Sequence, residues 1–355
     1  MKKIKDLFVL TILLIATSCN QSQSSIDVIQ INNKQAKTSS LSEHFEVVKS
    51  VCLDTKNRSY ISSIDKILKT PNHYILLNKF DQNSLFVFDH DGMLLKELKS
   101  SNFEQYNVHQ FYDILYSSQS NEIELLTDTG IVYLATDNFS YIKKQSLDFS
   151  ATKFSKSKDF YHFITPSESG LTIIDSSFDS SNKMTYFPEN NSMPFYQMAG
   201  INSFTSFNNT TRYFRNFDNT IYSIKKDKLA PKWTFDFNET SFSEKDKEQI
   251  NNPNEVYEIE NKSFLHKFYF ETENLIYLSF FKNDNFTVCL VNKKSKNKTC
   301  FNVIDSDNDI TNESYFPFIM NTTKGGNFLA LKNLEPEESD NCDSDFSIYE
   351  LKFTN

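Results

Sequence analysis

Apolar and polar positions alternate in short beats along this chain of 355 residues. After residue 26, short runs rich in Ile, Val, Phe and Tyr recur between clusters of Asn, Asp and Ser, the pattern of strands separated by turns. The clearest runs are Tyr74–Leu77, Leu85–Phe88, Ile123–Leu126, Ile131–Leu134, Leu275–Phe280 and Thr287–Val291. One helix is predicted, over Ser241–Ile250, where Ser243 precedes Asp246 by three residues as a capping box.

The beats group in fours, with a period of about 40 residues that marks radial or solenoid repeats. The first unit spans Tyr60–Leu98 and predicts strands over Ile61–Leu68, Tyr74–Leu77, Leu85–Phe88 and Leu94–Leu98, with His90-Asp91-Gly92 turning between the last two. Comparable units begin near Val108, Ala151, Ile201, Ser263 and Tyr315. The fold expected is therefore all-β: a six-bladed β-propeller of four-stranded antiparallel blades with one short helix insertion. Closure around an axis shields strand edges that a flat array would leave open to aggregation. It also makes residues 27–355 a single domain without a second core.

Composition adds a constraint on the turns. The chain has 6 Gly, where average usage would give roughly 25. Collagen-like and Gly-loop phosphate-binding readings fall away, and Asn, Asp and Ser are left to make the tight turns. Charge argues against a nucleic-acid partner: 37 Lys+Arg against 46 Asp+Glu give a net −9, whereas a phosphate backbone needs a concentrated basic surface. The longest lysine cluster, Lys293–Lys298, reads as a hairpin tip.

The first 18 residues are a signal peptide by pattern. Lys2, Lys3 and Lys5 are followed by an apolar stretch from Leu7 to Ala16, too short for the roughly 20 residues of a membrane-spanning helix. Ile15-Ala16-Thr17-Ser18-Cys19 resembles a bacterial lipobox, which implies cleavage before Cys19 and acylation of that residue. Residues 19–26 then form a lipidated, flexible tether, and the lipid is the only membrane contact expected. In an oxidising compartment the remaining Cys52, Cys289, Cys300 and Cys342 are free to pair. Cys289 and Cys300 flank ten residues rich in Lys and Asn, and a symmetric hairpin would set them face to face as a disulfide. The states of Cys52 and Cys342 stay open.

Four segments in order resemble the six-bladed β-propeller lipoproteins of Bacteroidetes, an NHL-like group mostly of unknown function. They are Phe45-Glu-Val-Val-Lys-Ser-Val-Cys-Leu-Asp-Thr55; His73–Asn78 with Ser84–Gly92; Phe217–Tyr222 with Leu229–Phe237; and Ser339–Cys342 with Ser347–Lys352. The resemblance implies the propeller fold over roughly residues 27–353. In that group, surface display goes with acidic residues just after the acylated Cys. Asn20–Ser25 carries none, which implies an outer-membrane protein facing the periplasm. The chain departs from the group at Asn238, at Cys342 and at Ser100–Tyr106, where relatives carry Gly, Pro and a Gly-rich segment.

Candidate chemistry is sparse, and no catalytic residue is assigned. The six His are isolated, no Gly-x-Ser-x-Gly elbow occurs, and no Cys-x-x-Cys suggests zinc. Asp305, Asp307 and Asp309 alternate as Ca²⁺ ligands would, but Ile310 and Phe316 stand where a calcium loop needs Gly and Glu, so no cofactor is expected beyond that weak Ca²⁺ candidate. Only three basic residues are Arg, and two of them, Arg212 and Arg215, lie three apart. A guanidinium fork grips carboxylates and phosphates as Lys cannot, so the pair is the candidate for an anion- or glycan-binding face, with pairing to Asp218 as the plainer reading. The function expected is a non-catalytic binding or scaffold module for a protein or glycan partner. The alternative is a periplasmic hydrolase or lyase with a metal at the propeller axis. Nothing in the sequence fixes an oligomeric state.

Overall fold

The computed structural model describes residues 26–354 apart from 32–36, 39–42, 55–60, 166–169, 187–202, 208–209, 216–217, 242, 248–261, 283–284, 303–317, 324–325 and 334–345. Six sheets stand around an axis. Blade 1 comprises Lys66–Lys69, Tyr74–Asn78, Ser84–Phe88 and Leu94–Lys99; blade 2, Phe111–Ser117, Glu122–Thr127, Gly130–Ala135 and Tyr141–Ser146. Blade 3 comprises Lys153–Ser157, Phe160–Thr165, Gly170–Asp175 and Met184–Tyr186; blade 4, Phe204–Phe207, Thr210–Tyr213, Thr220–Lys225 and Lys228–Asp236. Blade 5 comprises Ser263–Glu271, Leu275–Lys282, Asn285–Asn292 and Lys298–Asn302. Blade 6 is built from both ends of the chain: Phe318–Thr322, Phe328–Asn333 and Phe346–Phe353 are completed by Phe45–Cys52, with Ile348 opposite Val51 and Phe353 opposite Phe45.

The first strand of each blade is innermost, and these six strands neighbour one another in a closed ring. Period-two side-chain alternation then sends one set of residues toward each neighbouring blade. In blade 1, Ile75 and Leu77 pack toward blade 2, while Tyr74 and Leu76 pack toward blade 6. Because both faces are covered, Tyr74–Asn78 and Ser84–Phe88 are buried throughout, which is why they read as unbroken apolar runs. The core is accordingly six layers, one at each blade junction.

The N-terminal segment forms a belt that the sequence pattern did not reveal. Asp27–Gln30 adds a fifth strand to blade 4, parallel to Lys228–Asp236, and Lys37–Thr38 adds a fifth to blade 5, parallel to Lys298–Asn302. The chain then supplies the outer strand of blade 6. The expected helix is described only over Glu244–Lys247, with its capping box formed: Ser243 N donates to Asp246 Oδ2 (2.7 Å) and Asp246 N to Ser243 Oγ (3.2 Å). Ser100–Tyr106, where the related group carries Gly, is a 3₁₀ helix that buries Phe103 and ends on Asn107 in the left-handed region. Among the described residues, no helix is long and apolar enough to cross a membrane.

Candidate functional site

Strand direction gives the propeller two distinct faces. First strands begin, and second strands end, on a loop face that also carries the blade-to-blade connections. The opposite turn face carries the turns between first and second strands and between third and fourth strands.

Three first strands place ionisable groups at the axis on the loop face. Asp65 and Lys66 open blade 1, Asp113 lies near the start of blade 2, and Lys153 opens blade 3. Lys79 joins them from the loop after the second strand of blade 1. Lys66 Nζ lies 2.7 Å from Asp113 Oδ1, and Asp113 Oδ2 accepts a hydrogen bond from Phe154 N at 3.0 Å, so this one carboxylate links three blades. Asp65 Oδ2 accepts from Lys79 N at 2.6 Å.

Their electrostatics are displaced in opposite directions. Burial pulls the Lys153 ammonium down to about 7; Asp113 opposes the shift, and Lys79 and Lys66 add to it. Burial pushes the Asp65 carboxyl up, against the hydrogen bond from Lys79 N. Outside this cluster, Phe80 is 72% exposed. Lys79 Nζ sits 4.6 Å from the Phe80 ring centroid and 5.8 Å from that of Tyr112, a cation–π geometry. The Lys79 ammonium over an open aromatic ring can bind polar groups, and the ring can stack on apolar ones.

Elsewhere the buried charges serve the joints between blades. At junction 6/1, Glu350 accepts from Tyr74 Oη (2.7 Å) and pairs with Lys69. At junction 2/3, Glu124 accepts from Tyr161 Oη (2.8 Å) and pairs with Lys156 (2.5 Å). At junction 4/5, Glu271 accepts from Tyr269 Oη (3.0 Å), from Arg212 Nε (2.7 Å) and from Arg212 Nη2 (3.3 Å), and pairs with Lys293 (2.7 Å). These clasps were missed in the sequence. A signal existed in single Glu residues inside apolar runs, such as Ile123-Glu-Leu-Leu126, but not in anything that named their partners.

The residues singled out from sequence fall as follows. Arg212 is buried, and its fork grips the protein's own Glu271. Arg215 holds Asp218 Oδ2 at 2.8 Å, the plainer of the two readings. Cys289 and Cys300 are cross-strand partners joined by a disulfide, Cα–Cα 4.1 Å; Cys52 is also disulfide-bonded. Cys19, Asp305, Asp307, Asp309 and Cys342 lie outside the described residues. Among the described residues, no three His, Cys, Asp or Glu converge as a metal site requires. His162 is buried, with Nε2 3.2 Å from Ser157 Oγ, and burial drives its imidazole down to about 3.

A family model described as a domain of unknown function, DUF4934, matches residues 24–352. The chain belongs to this family. No curated protein matches the DUF4934 chain. Among solved structures, it is similar to a protein of Bacteroides fragilis described as exported (13% identity, TM-score 0.67, covering 93% of this chain and 100% of that one). It is also similar to a member of the DUF4221 family from Bacteroides vulgatus (12% identity, TM-score 0.50, covering 88% of this chain and 99% of that one). At such identities the likeness is one of fold.

Proposed function

We propose that this DUF4934 propeller is an envelope lipoprotein, acylated at Cys19 and held on the periplasmic side of the outer membrane. There it acts as a non-catalytic module that binds a protein or glycan partner on its loop face. The observation that carries the reading is the rim of blades 1 and 2 on this face, where the Lys79 ammonium lies over the open ring of Phe80 and near the ring of Tyr112. The exposed Phe80 ring and the Lys79 ammonium over it offer that face an apolar and a polar group together. The leader, the lipobox pattern and the uncharged Asn20–Ser25 support the location, as does the exported B. fragilis relative in fold.

A photo-crosslinking residue at position 80 tests the binding reading in cells. A discrete adduct is expected there, and none from the same probe at Leu95, which is exposed on the outer strand of blade 1. Equal labelling at both positions, or none at either, would sink the loop-face assignment.

A further inference from the structure

We infer that the seam between the lysine-rich turns of blades 4 and 5 is a second membrane contact, which seats the propeller on an anionic phospholipid leaflet. The inference takes its geometry from the reading of Cys19 as the anchored residue.

Two turns between third and fourth strands supply the charge. In blade 4, Lys225, Lys226 and Lys228 are exposed; in blade 5, Lys294, Lys296 and Lys298 are exposed, and Lys293 is half-buried against Glu271. The turns are nearly 70 residues apart in sequence, yet contacts to the first strand of the belt join the blade 5 turn to the fourth strand of blade 4, which leads out of the Lys225–Lys228 turn. Lys296 Nζ lies 3.6 Å from Asp27 Oδ1 and 4.4 Å from the Trp233 ring centroid. Lys232 Nζ reaches Asp27 Oδ2 at 3.3 Å and the same ring at 4.4 Å. Lys298 donates to the Gln30 carbonyl. The acidic groups on or paired with these elements are Asp27, Asp227, Asp236, Glu271 and Glu273, outnumbered by Lys225, Lys226, Lys228, Lys232, Lys293, Lys294, Lys296 and Lys298. The sign of this surface is therefore opposite to that of the chain, which is −9 overall.

Two further observations select a lipid surface as the occupant. Ile26 and Val28, flanking Asp27 at the start of the belt, are 47% and 56% exposed, so apolar side chains are open to solvent on the strand that also carries the Asp27–lysine contacts. Asp27–Gln30 runs parallel to Lys228–Asp236, so the N-terminal end of the belt strand is the end nearer the Lys225–Lys228 turn. Residues 20–26 span at most about 25 Å when fully extended, which keeps an acylated Cys19 close to the seam. Lysines held near an anionic leaflet gain attraction within a Debye length of about 8–10 Å, and a tether this short supplies the proximity.

The test uses the unacylated chain from residue 20 onward, which contains every described strand and closes the ring by itself. It is mixed with vesicles of phosphatidylethanolamine and phosphatidylglycerol, or of phosphatidylcholine alone. Co-sedimentation with the anionic vesicles only, lost between about 0.05 and 0.5 M salt, is expected. Lys225→Gln, Lys226→Gln, Lys294→Gln and Lys298→Gln together should weaken binding at least about tenfold. The same change at the exposed Lys96, Lys99, Lys143 and Lys158 should leave it unaltered, with both quartets melting like the parent chain. No binding, equal binding to neutral vesicles, or equal loss in the two quartets would overturn the inference. Acylation is read separately, from the mass of the N-terminal peptide of protein extracted from its own membrane. An unmodified Cys19 defeats the anchor while the vesicle result stands, and failed vesicle binding defeats the seam while the anchor stands.

Discussion

Gly92 is the position where blade 1 touches the closing strand of blade 6. Its φ is +90°, and a β-carbon there would fall 1.8 Å from the Cys52 carbonyl oxygen. The same contact brings Asp54 N to Gly92 O at 2.7 Å. Gly92→Ala combines backbone strain with overpacking, and a loss of about 3 kcal/mol is expected, read from the denaturant midpoint at unchanged slope. Other left-handed positions show how a chain with so little glycine turns. Asn83, Asn107, Asn121 and Asn238 take positive φ, as the composition suggests, but so do Lys158, Lys226, Lys296, Phe139 and Phe178. Asp and Ser do not, among the described residues. Asp instead accepts hydrogen bonds from the backbone ahead of it: Asp89 Oδ1 from Asp91 N and Met93 N, Asp175 Oδ1 from Ser177 N, Asp236 Oδ1 from Asn238 N. Asp thus shapes the turn through its side chain while another residue bears the unusual φ.

At the scale of elements, the clasps at junctions 6/1, 2/3 and 4/5 carry the sharpest energetic consequence. Glu271→Ala would leave Arg212 buried, and Lys293 half-buried, without their carboxylate. A cost of about 3–5 kcal/mol is expected, measured by thermal or denaturant melting. Acid should do the same work gradually. Burial by itself would raise the Glu271 carboxyl, but hydrogen bonds and charge from Arg212 and then Lys293 hold it below its ordinary value. Glu350 is held low in the same way by Lys69 and Tyr74. A carboxyl lowered in the folded state stabilises fully above the unfolded value, about 4.3, and loses that contribution as pH falls through its folded value. Melts between about pH 5 and 2 should therefore decline less steeply in a Glu271→Gln, Glu350→Gln chain; an unchanged slope would remove the clasps from the account. The strands themselves were legible because burial on both faces leaves unbroken apolar runs, so blade 1 was bounded to within a few residues. Its first strand is shorter than read, Lys66–Lys69 rather than Ile61–Leu68. The clasps and the axial cluster were not legible, because Tyr74 and Glu350 are 276 residues apart and Lys66, Asp113 and Lys153 meet only once three blades are in place. The lysine seam was visible as a hairpin tip at Lys293–Lys298, but only the adjacency of blades 4 and 5 brings the Lys225–Lys228 turn beside it.

At the scale of the whole molecule, both termini hold the ring shut. Phe45–Cys52 pairs along the length of Phe346–Phe353, and Asp54 bridges onward to Met93 of blade 1. A chain beginning at residue 44 keeps this closure and loses only the fifth strands of blades 4 and 5; it should fold with a lowered Tm. A chain beginning at residue 54 leaves Phe346–Phe353 an open edge, exposes the apolar layer at junction 6/1, and is expected to aggregate on refolding. Circular dichroism melts and size-exclusion profiles of the two truncations distinguish these outcomes. The same closure sets an order of events in biosynthesis. Phe45–Cys52 is made before every strand of blades 1 to 5, and its partner Phe346–Phe353 after them all. Each of blades 1 to 5 can form its four strands locally, yet Phe45–Cys52 waits for Phe346–Phe353, a contact of very long sequence separation and hence slow closure. During that interval the ring stays open at one junction, and the apolar layer between blades 6 and 1 lacks its covering strand.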